Sequence, residues 1–271
     1  MSASIEGVGP QVSGVIRYVD PAHATGIVYA LNPEKNEVRY EAHETRIADA
    51  RPAIGRLDLN REGFMLAEHV TQVRNFRDPQ EVETVYRREM EDLVKRVTGA
   101  GKVIVFHMQI RDNAPVVDAN VRRPAPIAHI DYNEETFRIR AREELGDAAD
   151  YWLRKPFSAI NVWRGVKPVE EMPLAVCDSR TVDMKDLHEA TIHERIGDPR
   201  PYTALNLAFQ PTQRWYYFPQ MRTDEALLFK LCDTDPRRAG PSAHAAFADP
   251  TSRPDAPPRV SFEVRTLAFF D

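Results

Sequence analysis

Hydrophobic and polar residues fall into short runs along this chain, many of them alternating and some of them ended by proline or glycine, the pattern of a β-rich protein. Residues 11–19 (QVSGVIRYV) alternate and stop at Asp20-Pro21, which predicts a strand. Residues 36–41 and 64–73 (FMLAEHVTQV) read as further strands, with a loop in the Arg-, Asp- and Pro-rich segment between them. Residues 102–110 (KVIVFHMQI), dense in apolar and β-branched side chains, read as a buried strand. More strands are predicted from about Ile127, over 158–166 (SAINVWRGV) and 173–177 (PLAVC), and in three pieces between 202 and 232. The last, residues 259–267, puts Arg259, Ser261, Glu263 and Arg265 on one face and Val260, Phe262 and Val264 on the other.

Helical spacing is confined to two places. Val82, Val85, Tyr86, Met90, Leu93, Val94 and Val97 follow Asp78-Pro79, a cap and a first-turn proline, and Thr98-Gly99-Ala100-Gly101 ends the run. That stripe reads as core packing. Residues 133–154 read as a second helix, with Asn133 as its cap. Many strands, few helices and no Gly-rich phosphate loop predict a mainly β fold with flanking helices, a double-stranded β-helix (jelly roll, cupin-like). One domain is expected over 1–271, with residues 1–100 as N-terminal strands and a helix packed on a jelly-roll catalytic core at 101–271.

Composition narrows the function. With 42% hydrophobic residues among 271, the chain can bury a sizeable core. A formal net charge of −5, with basic clusters such as Arg87-Arg88 and Arg122-Arg123 interrupted by acids, speaks against nucleic acid as a partner. Cys177 and Cys232 form no CxxC pair, and two free thiols suit a reducing cytoplasm. The first residues lack a signal-peptide pattern, and no apolar run approaches the roughly 18 residues of a membrane span, so a cytoplasmic protein with no membrane partner is expected.

The candidate chemistry centres on His129-Ile130-Asp131. Residues two apart on a strand share a side. Imidazole plus carboxylate, completed by a distant second histidine, is the face that binds non-haem Fe(II) and leaves positions open. His244 is the candidate third ligand. Arg259 with Ser261 on its face could seat the far carboxylate of 2-oxoglutarate, since guanidinium offers two parallel donors and the hydroxyl a third. The competing reading is a solvent-facing strand edge on which Arg259 and Arg265 bridge to Glu263. Arg265 is a second candidate anchor. Asn161 and Trp163, together with Tyr132 and Arg164, are candidate substrate contacts, with plain packing as the alternative. His107 reads as a core histidine rather than a ligand, and His188 and His193, lacking HExxH spacing, read as surface residues.

Several segments carry a resemblance: Asn75-Phe76-Arg77-Asp78-Pro79, His129-Ile130-Asp131, Ile160-Asn161-Val162-Trp163-Arg164, Pro173 to Asp178, Trp215-Tyr216-Tyr217-Phe218-Pro219-Gln220-Met221, Asp224 to Lys230, His244 to Pro250, and Pro258-Arg259 through Arg265. In this order they resemble the AsaB-type hydroxylase/desaturase family, which includes the CmcJ component of cephamycin methoxylation, a branch of the Fe(II)/2-oxoglutarate dioxygenase-like proteins. Ser242-Ala243 before His244, His107-Met108, and Tyr132-Asn133 after Asp131 depart from the family pattern. The resemblance implies a double-stranded β-helix, Fe(II) held by His129, Asp131 and His244, and 2-oxoglutarate and O2 as cosubstrates. It implies hydroxylation, desaturation or ring formation on a small natural-product or amino-acid-like substrate. A metal oxygenase that does not use 2-oxoglutarate, and a non-catalytic accessory or binding protein on the same fold, are the alternatives; the sequence leaves the oligomeric state open.

Overall fold

The computed structural model describes residues 4–116 and 121–271. In chain order its strands are β1 (Gln11–Val19), β2 (Ile27–Tyr29), β3 (Tyr40–Asp49), β4 (Phe64–Glu68), β5 (Lys102–Asp112), β6 (His129–Ile130) and β7 (Phe157–Gly165). They continue as β8 (Leu174–Cys177), β9 (Leu187–His193), β10 (Tyr202–Leu207), β11 (Trp215–Tyr217), β12 (Glu225–Asp233), β13 (His244–Ala246) and β14 (Val260–Phe269). A larger sheet runs β1-β3-β11-β8-β13-β6-β10-β9-β2, and a smaller one β4-β12-β7-β14-β5. Ile47 and Val176 from the first share one core with Phe64, Trp163, Phe229 and Leu267 from the second. The two sheets therefore pack face to face as a mainly β, jelly-roll fold.

Alternation along the smaller sheet separates two faces. Val264, Phe262, Val162 and Ile160 point outward onto a helical layer that supplies Tyr86, Met90, Leu93 and Val94. That layer is α1 (Pro79–Glu81), a π-helical turn (Val82–Tyr86) and α2 (Arg87–Thr98). Asp78 caps it, accepting from the backbone N–H groups of Gln80 and Glu81, and Gly99 ends it with φ 71°. A second helical stretch, α3 (Glu134–Leu145) and α4 (Ala149–Leu153), starts at Asn133, whose side chain accepts from Thr136 N–H.

One irregularity in β5 matters for the interior. Arg265 pairs with His107 but Thr266 pairs with Val105, leaving Phe106 as the extra residue of a bulge. Before the bulge Ile104 faces the inter-sheet core; after it, the odd-numbered His107 and Arg111 do. A single inserted residue thus turns a polar set inward.

Several expectations need correction. The loop predicted after residue 41 is strand: β3 pairs with β1 on one side and β11 on the other, and its polar outward side chains disguise it. The strand predicted over 64–73 ends at Glu68. His188 and His193, expected at the surface, lie on β9 and are partly buried; His244 begins a short strand. The strands of residues 1–100 are interleaved with the rest: β1, β2 and β3 lie in the larger sheet and β4 in the smaller. Among the described residues, no helix is long and apolar enough to cross a membrane.

Candidate metal centre

β6 and β13 are antiparallel neighbours, and His129 stands directly opposite His244. Paired residues on adjacent strands send their side chains to one face, so the two rings meet with centroids 4.3 Å apart. Asp131, two residues past His129, returns to that face. His129 Nε2 lies 3.7 Å from Asp131 Oδ1, and His244 Nε2 lies 3.7 Å from Asp131 Oδ2. Each pair is under the roughly 4.2 Å that lets two atoms touch one ion at about 2.1 Å. Among the described residues, these three form the group whose donor atoms converge in this way, all within 4.8 Å of one another.

The neighbours prepare those atoms. His129 Nδ1 lies 2.7 Å from the Ile127 carbonyl. An N–H there leaves the Nε2 lone pair facing Asp131 and His244. Burial, reinforced by His129, pushes His244 down to about 3, so it stays neutral, the form that ligates. Its ring packs on Phe229, 4.6 Å between centroids. Burial pulls the Asp131 carboxyl up, but Arg265 first, then His244 and His129, hold it well below its usual value.

Both Asp131 oxygens have donors. Arg265 Nη2 donates to Oδ1 at 2.7 Å, and Asn161 Nδ2 donates to Oδ2 at 3.1 Å. Arg265 also donates to Glu263 at 2.6 Å, to the Tyr132 hydroxyl at 3.2 Å and to His107 Nδ1 at 3.0 Å. Glu263 accepts from Arg111 as well, at 2.8 and 3.2 Å. Two carboxylates, Asp131 and Glu263, are therefore shared between two guanidinium groups, Arg111 and Arg265.

A third guanidinium, Arg259, is left over. It is 2% exposed and touches the Met172 carbonyl and the face of Trp163, 5.4 Å from the ring centroid. Glu171 takes its backbone N–H instead of its guanidinium. Its Nε and the hydroxyl of fully buried Ser261 have no hydrogen-bond partner. Burial and then Arg111 weigh against its charge. An unpaired cation facing a narrow cavity bounded by His129, His244 and Trp163, with an unpaired hydroxyl two residues along the same strand face, fits the carboxylate of 2-oxoglutarate. The His-Asp-His set likewise fits Fe(II).

The expected residues thus divide. His129, His244, Arg259 and Trp163 border one narrow cavity; Asp131 converges with the two histidines and is bonded by Asn161, and Ser261 shares the strand face of Arg259. Arg265 is near them, but both its terminal nitrogens are taken, Nη2 by Asp131 and Glu263 and Nη1 by His107 and Tyr132, and only Nε lacks a partner, which speaks against its reading as a second anchor. Tyr132 is buried against Phe137 and Tyr202, with its hydroxyl on Arg265, rather than lining the cavity. Arg164 is not at the site. Alternation sends it to the opposite face of β7 from Asn161 and Trp163, where it donates to His69 and to the Thr223 carbonyl, over Phe76 and Tyr86. The strand-edge reading of β14 fails because Arg259, Ser261, Glu263 and Arg265 are all buried.

Two contributors had no signal in the sequence. Arg111 reaches Glu263 only because of the bulge at Phe106, and Asn206 faces the site only because β10 pairs it with His129. From the metal centre a cavity of about 260 Å³ opens outward past Tyr40, Arg122, Tyr202 and Asn206. A larger cavity, about 690 Å³, lies elsewhere beside Asn60 and Lys230, and among the described residues no metal-binding set borders it.

Comparison with known proteins agrees with this geometry. A family model described as an oxidoreductase/YMDC permease-like domain matches residues 16–269. The chain is 34% identical over 256 residues to the Fe(II)/2-oxoglutarate-dependent dioxygenase nvfI of Aspergillus novofumigatus, covering 90% of each. It is 30% identical over 257 residues to the hydroxylase/desaturase efuI of Hormonema carpetanum, covering 86% of each. The solved structure of the iron and alpha-ketoglutarate-dependent endoperoxidase NvfI superposes with a TM-score of 0.87 at 32% identity, over 96% of this chain and 98% of that one. The chain belongs to the AsaB-like hydroxylase/desaturase family of Fe(II)/2-oxoglutarate-dependent dioxygenases.

Proposed function

We propose that His129, Asp131 and His244 hold Fe(II), and that Arg259 with Ser261 receives the far carboxylate of 2-oxoglutarate. The observation that carries this reading is the pairing of an unsatisfied buried cation with a convergent His-Asp-His set across one cavity. With O2, the bound iron and cosubstrate would supply the oxidant that removes hydrogen from a substrate C–H bond, giving hydroxylation, desaturation or ring formation.

The chain's own residues do the positioning. Arg265 and Asn161 hold Asp131 in one rotamer, and the Ile127 carbonyl orients His129. Trp163 and Phe229 wall the cavity and exclude water from it. The relatives that the chain matches are named for oxidations such as hydroxylation and desaturation, and a small natural product is the substrate class that accords with them.

Succinate release from 2-oxoglutarate, with Fe(II) in air, tests the reading. The wild type is expected to form succinate and His129→Ala to form none. Succinate formation that survives His129→Ala and His244→Ala would overturn it.

A further inference from the structure

The cavity outside the metal centre has a chemistry of its own. Its two inner cations are spent: Arg111 is paired with Glu263, and Arg122 with Glu194 at 3.0 Å through Nε. Arg122 also donates to the Tyr202 hydroxyl at 3.3 Å, and Arg123 donates to the Ala114 and Pro115 carbonyls. Most of the remaining wall is apolar, including Val28, Pro126, Ile127 and Ile192. Arg123 has no acidic partner but is exposed, so a charged guest seated among the buried groups would find no free counter-ion, and desolvating it would cost several kcal/mol.

One donor is left without a full hydrogen bond. Asn206 is 3% exposed, lines the cavity, and its Nδ2 has no hydrogen-bond partner. It is the register partner of His129 on the neighbouring strand, so its amide faces the same side as the proposed iron ligand. The Tyr40 hydroxyl, which burial pushes up to about 12, interacts with this side chain without closing a full hydrogen bond. A buried amide N–H2 without a partner is costly unless something in use satisfies it.

We infer that this cavity takes a neutral, largely apolar molecule carrying a carbonyl, ether or hydroxyl oxygen, and that Asn206 is the specificity-determining donor to that oxygen. The inference rests on the proposed iron site and names the substrate class for it. By holding the guest's oxygen one strand away from His129, Asn206 would fix which C–H bonds face the metal. An amino-acid-like zwitterion is disfavoured by the same argument.

Ligand-observed NMR on the metal-free protein tests this without turnover. The probes are camphor, a neutral ketone of suitable bulk; camphene, a hydrocarbon of similar size without the oxygen; and camphorate, a dicarboxylate. Camphor is expected to bind at least tenfold more tightly than camphene, and camphorate not at all. Asn206→Leu should bring camphor down to the affinity of camphene, and the near-isosteric Asn206→Asp, which replaces the donor by an acceptor, should also lose the preference. Equal binding of ketone and hydrocarbon by the wild type, tighter binding of camphorate, or no binding of any probe would overturn the inference, and the wild-type comparison needs no variant to fold. If the wild type fails this test yet still shows Fe(II) and 2-oxoglutarate binding, the substrate class is wrong and the iron site stands.

Discussion

Arg265 Nη2 donates to Asp131 Oδ1 at 2.7 Å, so the carboxylate proposed as an iron ligand is one half of a buried ion pair. The pair keeps Asp131 ionised and directs Oδ2 toward His244. Removing one partner of a buried pair costs about 3–5 kcal/mol, because the other is left uncompensated. Arg265→Ala is therefore expected to lower unfolding stability by that order in urea titration. It should also weaken Fe(II) binding by about 10–100-fold, the usual cost of losing an outer partner of a metal ligand. Unchanged stability and metal affinity would show that the pair is incidental.

Arg259 behaves differently because no carboxylate depends on it. Glu263 is already held by Arg111 and Arg265. Arg259→Ala is expected to change stability little while weakening 2-oxoglutarate binding by about 10–100-fold, the worth of a charge-assisted hydrogen bond of roughly 1.5–3 kcal/mol. Isothermal titration with 2-oxoglutarate checks this; full affinity in the variant would remove Arg259 from the anchor role.

Acid should destabilise the metal-free protein well before its carboxylates titrate. Burial pushes His107 and His244 down to about 3, helped by Arg265 for the first and His129 for the second. The unfolded chain protonates both near pH 6.5. Between about pH 6.5 and 3 the unfolded state thus binds more protons, so stability present above pH 6.5 falls as pH falls. The slope is about 1.4 kcal/mol per pH unit for each histidine. Asp131 and Glu263, both depressed by arginines, add a loss of the same sign below about pH 4. Urea midpoints in chelator at pH 7.5, 6 and 5 should decline steeply, and His107→Gln should halve the decline. A flat profile over that range would contradict the buried, neutral assignment.

Much of this centre was legible from side-chain parity. His129 and Asp131 share a strand side, as do Arg259 and Ser261, and a period of two is enough to see it. Arg164 was misplaced because β7 is buried on both faces along its whole length. Its hydrophobicity therefore carries no alternation, and only position relative to Asn161 and Trp163 reveals the face. β3 was missed for the opposite reason: residues such as Glu41, Glu44 and Arg46 are polar like a loop, and the partners that make it a strand lie at β1 and β11. The bulge at Phe106 and the pairing of Asn206 with His129 are long-range events, and no local pattern announces them.

The account depends on one ion bridging β6 and β13 beside a cosubstrate. Anaerobic addition of Fe(II) and 2-oxoglutarate to the purified protein, followed by visible absorption, tests this most directly. The wild type is expected to develop a metal-to-ligand charge-transfer band that saturates at one iron per chain, and His244→Ala to develop none. Absence of the band in the wild type, or its persistence at full strength in His244→Ala, would contradict the proposed centre.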